Sequence, residues 1–254
     1  MPDTASPARS GPGAPRSLAA PAPAGAAASY GATRARVEDY FDRHATETWA
    51  RLTSTAPVSR VRQTVREGRD RMRAAMLSCL PEDLGGLRVL DAGCGAGQMT
   101  AELAARGAEV VAVDISPKLV QIAAARLPAR DASRVTFHAG DMLAPALGRF
   151  DHVLAMDSLI YYRAPDIGAA LAGLAPRVRG SVVFTVAPRT AFLMAFWGLG
   201  KVFPRGDRSP TMIPHAPARL AQAARDAGAK GRLREVERVT SGFYISTCLE
   251  FRPC

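Results

Sequence analysis

The stretch VLDAGCGAG, residues 89–97, brings one acid and three glycines together at the end of an apolar run. Asp91 ends a predicted strand, and Gly93, Gly95 and Gly97 let the backbone pass close to a ligand because they carry no Cβ. The GxGxG spacing differs from the GxGxxG that places a pyrophosphate on a helix N-terminus. Asp91 would repel a pyrophosphate but can accept hydrogen bonds from a cationic amino acid group. The loop therefore favours a ligand with an amino acid end, with a turn needed only for strand-to-helix packing as the alternative.

Two further acids follow the next two predicted strands. Asp114, beside Ile115, ends the run EVVAVD, where a carboxylate can accept both hydroxyls of a ribose. Asp141, beside Met142, ends the run RVTFHAGD and can receive the exocyclic amine of an adenine. Ligands of open α/β sheets bind outside the carboxyl ends of the strands, so we expect these acids around one nucleoside ligand.

The pattern D-x-G-x-G-x-G followed by two acids, each at the carboxyl end of a strand, resembles the class I S-adenosylmethionine-dependent methyltransferases. The resemblance covers roughly residues 88–188 and implies S-adenosyl-L-methionine as the cofactor. It places the amino acid end of the cofactor near Asp91, Gly93 and the backbone of Met156. It also implies a Rossmann-like α/β fold whose seven-stranded, mostly parallel sheet is covered by helices on both faces.

The order of the predicted elements leads to the same architecture. Five short apolar runs, most of them separated by helical patterns rich in alanine and leucine, predict a parallel sheet between two helical layers. Ser116 is predicted as an N-cap, with Pro117 at the first helical position. Two strand-like runs joined by TSG predict an antiparallel hairpin at the sheet edge. Helices are predicted from Val37 to Leu52 and from Val58 to Leu80.

Composition divides the chain into three parts. Residues 1–35 are rich in alanine, proline and glycine and predict a disordered tail, and the prolines argue against a transit peptide. Residues 36–85 are predicted as an N-terminal helical lid near the substrate, and residues 86–254 as the cofactor-binding domain. An apolar insertion at about 188–215 fits a packing helix, a lid for a large flat ligand or a contact with a bilayer.

Five segments carry a second, more specific resemblance: VEDYFDRHATETWARL, VSRVRQTVREGRDRMR, MDSLIYY, APRT with GKVFPRGDRSP, and GFYISTCLEFR. Together they are similar to the magnesium protoporphyrin IX methyltransferases of bacteriochlorophyll and chlorophyll synthesis, over about residues 37–252. The resemblance implies transfer of a methyl group to one propionate carboxylate of magnesium protoporphyrin IX, giving the monomethyl ester. It further implies the large porphyrin-binding subunit of magnesium chelatase as a partner.

Charge and cysteine content constrain partners and location. The formal net charge of +10 favours an acidic partner, which could be nucleic acid, an anionic membrane or a carboxylate ligand. The four cysteines lack CxxC spacing, so neither a metal site nor a disulfide framework is predicted. No run of about 20 apolar residues is present, so no membrane span is predicted. We expect a cytoplasmic protein, with peripheral contact with the inner, photosynthetic membrane as an open alternative.

Basic residues recur on one predicted helix face. Arg62, Arg66, Arg69 and Arg73 follow at steps of four, three and four, so they share that face. A solvated helix face is one interpretation, and binding of ligand carboxylates or anionic lipid is the other. Under the second interpretation, Arg62 or Arg66 is the predicted partner of the second propionate.

Aromatic residues supply the predicted catalytic positions. By resemblance, Tyr40 belongs to the lid, where its hydroxyl could orient the acceptor carboxylate, while simple packing with Phe41 is the alternative. Tyr161 stands where relatives are expected to carry histidine, so an imidazole base is not carried over; the phenol is predicted to orient the propionate by a hydrogen bond. Tyr162 is also predicted at the substrate. Asp157 either caps the next turn or helps to hold the cofactor's ammonium.

Three rival functions share parts of this pattern. A methyltransferase for a quinone, phenol or amine would use the same cofactor residues without a porphyrin lid. A nucleic-acid methyltransferase would use the positive charge, but no motif of the asparagine-proline-proline-tyrosine type follows the fourth strand, so no nucleic acid partner is predicted. A porphyrin carrier without catalysis would not need all three acids.

Overall fold

Strands and helices alternate along the chain as the apolar runs predict. The computed structural model describes residues 16–18, 26–41, 60–189 and 211–254. The strands are β1 (Arg16–Leu18), β2 (Arg88–Ala92), β3 (Glu109–Asp114), β4 (Val135–Gly140), β5 (Phe150–Ala155), β6 (Val178–Val186), β7 (Gly231–Ser241) and β8 (Tyr244–Pro253). The helices are α1 (Ala26–Tyr40), α2 (Arg60–Leu77), α3 (Gln98–Ala105), α4 (Pro117–Arg126), α5 (Ala164–Leu174) and α6 (Pro217–Asp226).

All eight strands form one sheet, in the order β1-β4-β3-β2-β5-β6-β8-β7. Strands β1 to β6 pair in parallel, while β8 runs antiparallel to both of its neighbours, β6 and β7. The predicted seven-stranded, mostly parallel sheet with a C-terminal hairpin is therefore confirmed. The three-residue strand β1 is an addition at the edge beside β4. Strand order reverses between β2 and β5, which creates the crevice where ligands of such sheets bind.

Alternate residues of the central strands supply two separate apolar layers. Leu90 and Val153 face one side of the sheet, where they pack with Ile167 of α5 and Leu220 of α6. The intervening residues face the other side and pack with α2 and α3, through residues such as Met76. Side chains of a strand alternate between its faces, so apolar residues at every position require a helical cover on both sides.

The predicted start of α4 is confirmed in detail. Ser116 is the N-cap with an extended backbone, and its hydroxyl accepts a hydrogen bond of 3.4 Å from the amide of Leu119. Pro117 occupies the first helical position, where a missing N–H leaves no bond unmade. This cap fixes the direction in which the chain leaves β3, immediately after Asp114.

The N-terminal helix begins earlier than the sequence predicted. Helix α1 starts at Ala26, inside the segment 1–35 that was predicted as a disordered tail, so the prediction is wrong for residues 26–35. The helix lacks an apolar stripe, and its position depends on tertiary contacts instead. The ring of Tyr30 stacks on that of Tyr162, with centroids 4.8 Å apart. The predicted continuation of this helix to residue 52 lies outside the described residues, whereas the second predicted helix is present as α2.

Candidate active site

A single large cavity lies over the carboxyl ends of the parallel strands in the described part of the chain. It encloses about 900 Å³, its solvent-filled mouth included, and α1 and α2 form its outer wall. Eight of the nine predicted cofactor residues line it, namely Asp91, Gly93, Gly95, Asp114, Ile115, Asp141, Met142 and Met156. The topology thus brings together side chains from the ends of β2, β3, β4 and β5.

The glycine loop between β2 and α3 is held in conformations that favour glycine. Gly93 has a φ of 83°, and a Cβ placed there would stand 2.4 Å from the Cβ of Ser158. Gly97, the remaining predicted cofactor residue, has a φ of 85° and caps α3. A Cβ on Gly97 would stand 2.9 Å from that of Ala123 in α4, so this glycine serves helix packing and does not line the cavity. Gly93 and Gly95 therefore face the cavity, whereas Gly97 supports the packing of α3 against α4.

Asp91 is a buried carboxylate beneath this loop. Its side chain accepts a hydrogen bond of 2.6 Å from the hydroxyl of Thr100. Burial raises the pKa of Asp91 to about 7, with a further contribution from the nearby charge of Asp114, while the Thr100 hydrogen bond opposes the rise. A buried acid that titrates near neutrality is well suited to a cationic group, which would favour its ionised form.

Asp114 fixes the geometry of the loop. One of its oxygens accepts a hydrogen bond of 2.8 Å from the amide of Gly95, and the other accepts one of 2.9 Å from the amide of Ser116. A carboxylate offers about four acceptor positions, so one such side chain can serve several donors, as binding of ribose hydroxyls would require. The carboxylate therefore both shapes the loop and faces the cavity.

Asp141 is engaged by α1 at the opposite end of the cavity. Its Oδ1 accepts hydrogen bonds from the Tyr30 hydroxyl, at 2.8 Å, and from the amide of Leu143, at 2.9 Å. Its Oδ2 accepts one of 2.9 Å from Arg34. Burial raises the pKa of Tyr30 well above its ordinary range, and the neighbouring Tyr162 and Asp141 raise it further. Nothing in the sequence pattern of α1 pointed to this contact.

Two of the three predicted tyrosines lie on the cavity wall, and the third, Tyr40, does not line the cavity. Tyr161 and Tyr162 line the cavity, and Tyr162 is buried against Tyr30. Tyr40 packs edge-on against Phe41, with ring centroids 5.4 Å apart, and its phenol is close enough to affect that of Tyr161. Burial raises the pKa of Tyr161 well above its ordinary range, and Asp157 and Tyr40 raise it further, while Arg69 opposes the rise. Tyr161 therefore carries its proton throughout the neutral range.

The arginines that reach the cavity are not the predicted pair. Arg69 and Arg73 line it, whereas Arg66 does not, and the side chain of Arg62 lies outside the described part. All four share one face of α2, but the helix rises by about 1.5 Å per residue, so the earlier arginines stand one or two turns further from the cavity. The prediction that Arg62 or Arg66 binds the second propionate stays a prediction.

Asp157 is the centre of a polar cluster that the sequence did not predict. It is the one non-glycine among the described residues with a positive φ, 56°. Its carboxylate accepts hydrogen bonds from Arg69, from the Tyr244 hydroxyl at 3.2 Å and from the Thr185 hydroxyl at 3.1 Å. One sequence signal could have pointed to this cluster. Asp157 is an acid that follows a buried strand at the point where the strand order reverses.

The cavity fits the cofactor that the sequence implies. Gly93 and Gly95 line the cavity together with Asp91, and three acids stand at the ends of three adjacent strands, as a cationic amino acid, a ribose and an adenine require. The described residues contain no group of three or more histidine, cysteine or acidic side chains that could hold a metal ion. Nor does any helix in the described ranges have the length and apolar character needed to cross a membrane.

Two family models match the chain. The model for the C-terminus of magnesium-protoporphyrin IX methyltransferase matches residues 155–253, and a general methyltransferase-domain model matches residues 89–179. The magnesium-protoporphyrin O-methyltransferase of Rhodobacter capsulatus is 63% identical over 225 residues, which is 88% of this chain and 98% of that protein. The chain belongs to the magnesium-protoporphyrin O-methyltransferase family.

Solved structures of this family agree with the fold. The magnesium protoporphyrin IX methyltransferase of Synechocystis PCC 6803 with bound SAH superposes with a TM-score of 0.69 at 28% identity, covering 87% of this chain and all of that one. The same enzyme with bound SAM gives a TM-score of 0.67 at 26% identity, covering 87% and 97% of the two chains. The similarity thus extends beyond the cofactor-binding strands to both ends of the family fold.

Proposed function

We propose that the protein transfers the methyl group of S-adenosyl-L-methionine to a propionate carboxylate of magnesium protoporphyrin IX, giving the monomethyl ester. The observation that carries the proposal is the 63% identity to the Rhodobacter capsulatus enzyme over 98% of that enzyme's length. The oxygen atoms of protoporphyrin IX belong to its two propionates, so an O-methyltransferase acting on it must form a methyl ester.

The acceptor needs little activation by the protein. A propionate with an ordinary pKa near ~4.3 is already ionised at neutral pH, so no general base is required. S-adenosyl-L-methionine supplies, when bound, a methyl group on a positively charged sulfonium. The task of the chain is to hold the carboxylate in line with that methyl group and to keep water away from it. The apolar and aromatic wall of the cavity serves both needs.

We also propose individual roles for the residues at the site. We assign the cofactor's ammonium to the neighbourhood of Asp91, its ribose to Asp114 and its adenine to Asp141 beside Met142. Tyr161 keeps its proton, so it can donate a hydrogen bond to the carboxylate but cannot act as a base. Tyr40 supports the same orientation from α1, and Tyr162 shapes the wall through its stack with Tyr30.

The remaining expectations concern the surroundings of the site. Residues 36–85 are assigned to a lid and residues 188–215 to the porphyrin insertion, of which 190–210 lie outside the described residues. The large porphyrin-binding subunit of magnesium chelatase is the expected donor of the substrate. We further propose a cytoplasmic location with peripheral contact with the inner membrane.

A product assay tests the proposal. The purified protein is incubated with magnesium protoporphyrin IX and S-adenosyl-L-methionine, and the porphyrin products are separated and identified by mass spectrometry. Gain of one methyl group, abolished in Asp114→Ala, is the expected result. Methylation of a phenol or quinone acceptor in the same panel, with the porphyrin unchanged, would assign the protein to a different substrate class.

A further inference from the structure

Two cysteines meet where the end of α2 packs on the middle of β8. Cys79 lies in the turn directly after α2, and Cys248 lies in β8. Cys248 belongs to the apolar layer that includes Met76 of α2, and Cys79 packs against the same layer. A hydrogen bond joins the two thiols. Tertiary packing therefore brings together two sulfur atoms that the sequence separates widely.

The hydrogen bonds give the two thiols different characters. Cys79 Sγ donates to the carbonyl of Ala75, at 3.7 Å, so its proton is directed towards the last turn of α2. The hydrogen bond between the thiols is then donated by Cys248 and accepted by the sulfur of Cys79. A hydrogen bond accepted by a sulfur favours the ionised form of that sulfur. Cys79 is therefore the member of the pair that ionises more readily.

Charged groups beside the pair act in the same direction. Glu250 lies two residues after Cys248, on the same face of β8, and is fully buried. Its carboxylate accepts hydrogen bonds from Arg234, at 2.5 Å, and from Arg252, at 2.8 Å. The pKa of Cys79 is lowered, above all by the hydrogen bond from Cys248 and further by the two guanidinium groups, while burial and the Glu250 charge oppose the fall. The hydrogen bond to Cys79 and burial raise the pKa of Cys248 well above its ordinary range.

The two thiols also differ in exposure. Cys79 is half-buried, so a small solute can reach its sulfur, whereas Cys248 is fully buried. The reactive form of a cysteine is the thiolate, and basic side chains nearby increase the thiolate fraction at neutral pH. A buried thiol in contact with such a sulfur can react with the oxidised product that forms there. The pair thus has the arrangement of a reacting thiol beside a resolving thiol.

We propose that Cys79 and Cys248 form a site of reversible oxidation, in which Cys79 reacts with a peroxide and Cys248 resolves the product as a disulfide. The Cys79 thiolate attacks one oxygen of hydrogen peroxide, the O–O bond breaks, and the released hydroxide takes up a proton to become water. Cys79 is then a sulfenic acid. The sulfur of Cys248 attacks the sulfur of Cys79, the S–O bond breaks, and the hydroxyl group leaves with the Cys248 proton as water. Together the two thiols lose two electrons and two protons, and the peroxide is reduced to two molecules of water.

The disulfide would join two elements of the cavity wall. Helix α2 contributes Arg69 and Arg73 to the cavity, and β8 supplies Tyr244 to Asp157. Oxidation would therefore limit the movement of α2 relative to β8. The inference is independent of the proposed function, because neither a methyl donor nor a methyl acceptor takes part in it.

Peptide mapping of the full-length protein tests the site. Trypsin does not cleave between Arg252 and Pro253, so Cys248 and Cys254 share the tryptic peptide 239–254. The experiment therefore uses the Cys254→Ser variant, which retains the native pair, beside the wild type. Each protein is treated with hydrogen peroxide, and the remaining thiols are blocked with N-ethylmaleimide in denaturant. The tryptic peptides are then analysed by mass spectrometry with and without dithiothreitol.

The expected product links peptide 74–88, which contains Cys79, to peptide 239–254, with a mass two hydrogen atoms below the sum of the two peptides. Dithiothreitol should separate them. In Cys248→Ala, which keeps the buried position small and apolar, Cys79 should stop as a sulfenic acid that dimedone labels. In Cys79→Ser, Cys248 should remain a thiol. Cys94 is the internal control, because it is buried in the glycine loop and should stay reduced.

Each of three results would overturn the proposal. The first is that Cys79 stays reduced while the exposed Cys254 of the wild type is oxidised. The second is a disulfide that links Cys79 or Cys248 to another cysteine in place of the predicted pair. The third is oxidation of Cys248 in Cys79→Ser at the rate seen in the wild type, which would show that Cys248 does not depend on Cys79 for its reaction.

Discussion

The hydroxyl of Tyr30 donates a hydrogen bond of 2.8 Å to Asp141, a residue 111 positions further along the chain. With the ion pair from Arg34 and the stack on Tyr162, this bond attaches α1 to the rim of the cavity, at the end that we propose for the adenine. The carboxylate that the cofactor is expected to meet is therefore also the anchor of the N-terminal helix. Cofactor binding at Asp141 and the attachment of helix α1 to the cavity should therefore be coupled.

Tyr30→Phe should loosen α1 while leaving the aromatic stack in place. The substitution removes one hydrogen bond to a carboxylate, which contributes about 1–3 kcal/mol in a partly buried setting. We expect faster amide hydrogen exchange in residues 26–40 and a lower free energy of unfolding in urea. Arg36→Gln is the matched control, because the Arg36 side chain bonds to Thr33 within α1. Equal exchange in both variants and the wild type would show that Tyr30 does not anchor the helix.

Asp91 should make the stability of the unliganded protein depend on pH. Its pKa is about 7 in the folded protein against an ordinary value of 3.8, so between these values the folded state binds a proton that the unfolded state has released. The free energy of unfolding should therefore fall as pH rises from about 4 to about 7, and the stabilisation is absent above that range.

Asp91→Asn removes this titration. The free energy of unfolding in urea should therefore fall less between about pH 5 and pH 8 in the variant than in the wild type. At the higher pH the variant should be the more stable protein without ligand, yet it should bind S-adenosylhomocysteine more weakly by about tenfold or more. Parallel stability curves for the two proteins would mean that Asp91 does not titrate in this range.

Tyr161→Phe should lower kcat by roughly ten- to a hundredfold and no further. In the proposed role the phenol orients the acceptor and abstracts no proton, so its loss should affect alignment only. Tyr161→His is the informative companion variant, because an imidazole with an ordinary pKa near ~6.5 would add a pH dependence of kcat that a phenol titrating far above neutrality does not give. Complete loss of turnover in the phenylalanine variant, with normal folding and ligand binding, would contradict a purely orienting role.

Gly93→Ala should weaken cofactor binding and destabilise the fold. The new Cβ would meet that of Ser158 at 2.4 Å, in addition to the strain of a φ of 83°. Gly86→Ala is the control for strain alone, since Gly86 has a φ of 75° and no atom within 4 Å of its Cβ position. We expect the free energy of unfolding, measured in urea, to fall by about 1–2 kcal/mol in the control and by more in Gly93→Ala.

A second substitution should relieve the steric clash that Gly93→Ala creates. Combining Gly93→Ala with Ser158→Gly removes the opposing Cβ, so the double variant should recover part of the lost affinity for S-adenosylhomocysteine. If the double variant binds as weakly as Gly93→Ala, backbone strain and not the approach of Ser158 determines the requirement for glycine.

The sequence predicted those features that depend on local patterns. Buried strands are recognised by their apolar runs, and the acids at their ends then share one edge of the sheet, so the positions of Asp91, Asp114 and Asp141 followed from topology. The cap at Ser116 is equally local, because donor and acceptor are three residues apart.

Features that depend on distant contacts were not predicted. Helix α1 has no apolar stripe, and its partners Asp141 and Tyr162 lie more than a hundred residues away, so composition indicated a tail. Helical periodicity showed which arginines share a face but not how far along the axis the cavity lies, so it did not single out Arg69 and Arg73 as lining residues. The contact between Tyr244 and Asp157 required the register of β8 against β6, which the hairpin pattern alone does not give.

The placement of β8 between β6 and β7 has a consequence for synthesis of the chain. A ribosome completes the parallel strands first, and until residues 244–253 have emerged the nine-residue strand β6 has no partner on that side. Such an uncovered, apolar edge is a site for pairing with other nascent chains. The same late strand delivers Tyr244 to Asp157, so protection of the growing sheet and completion of the cavity wall occur in one step of maturation.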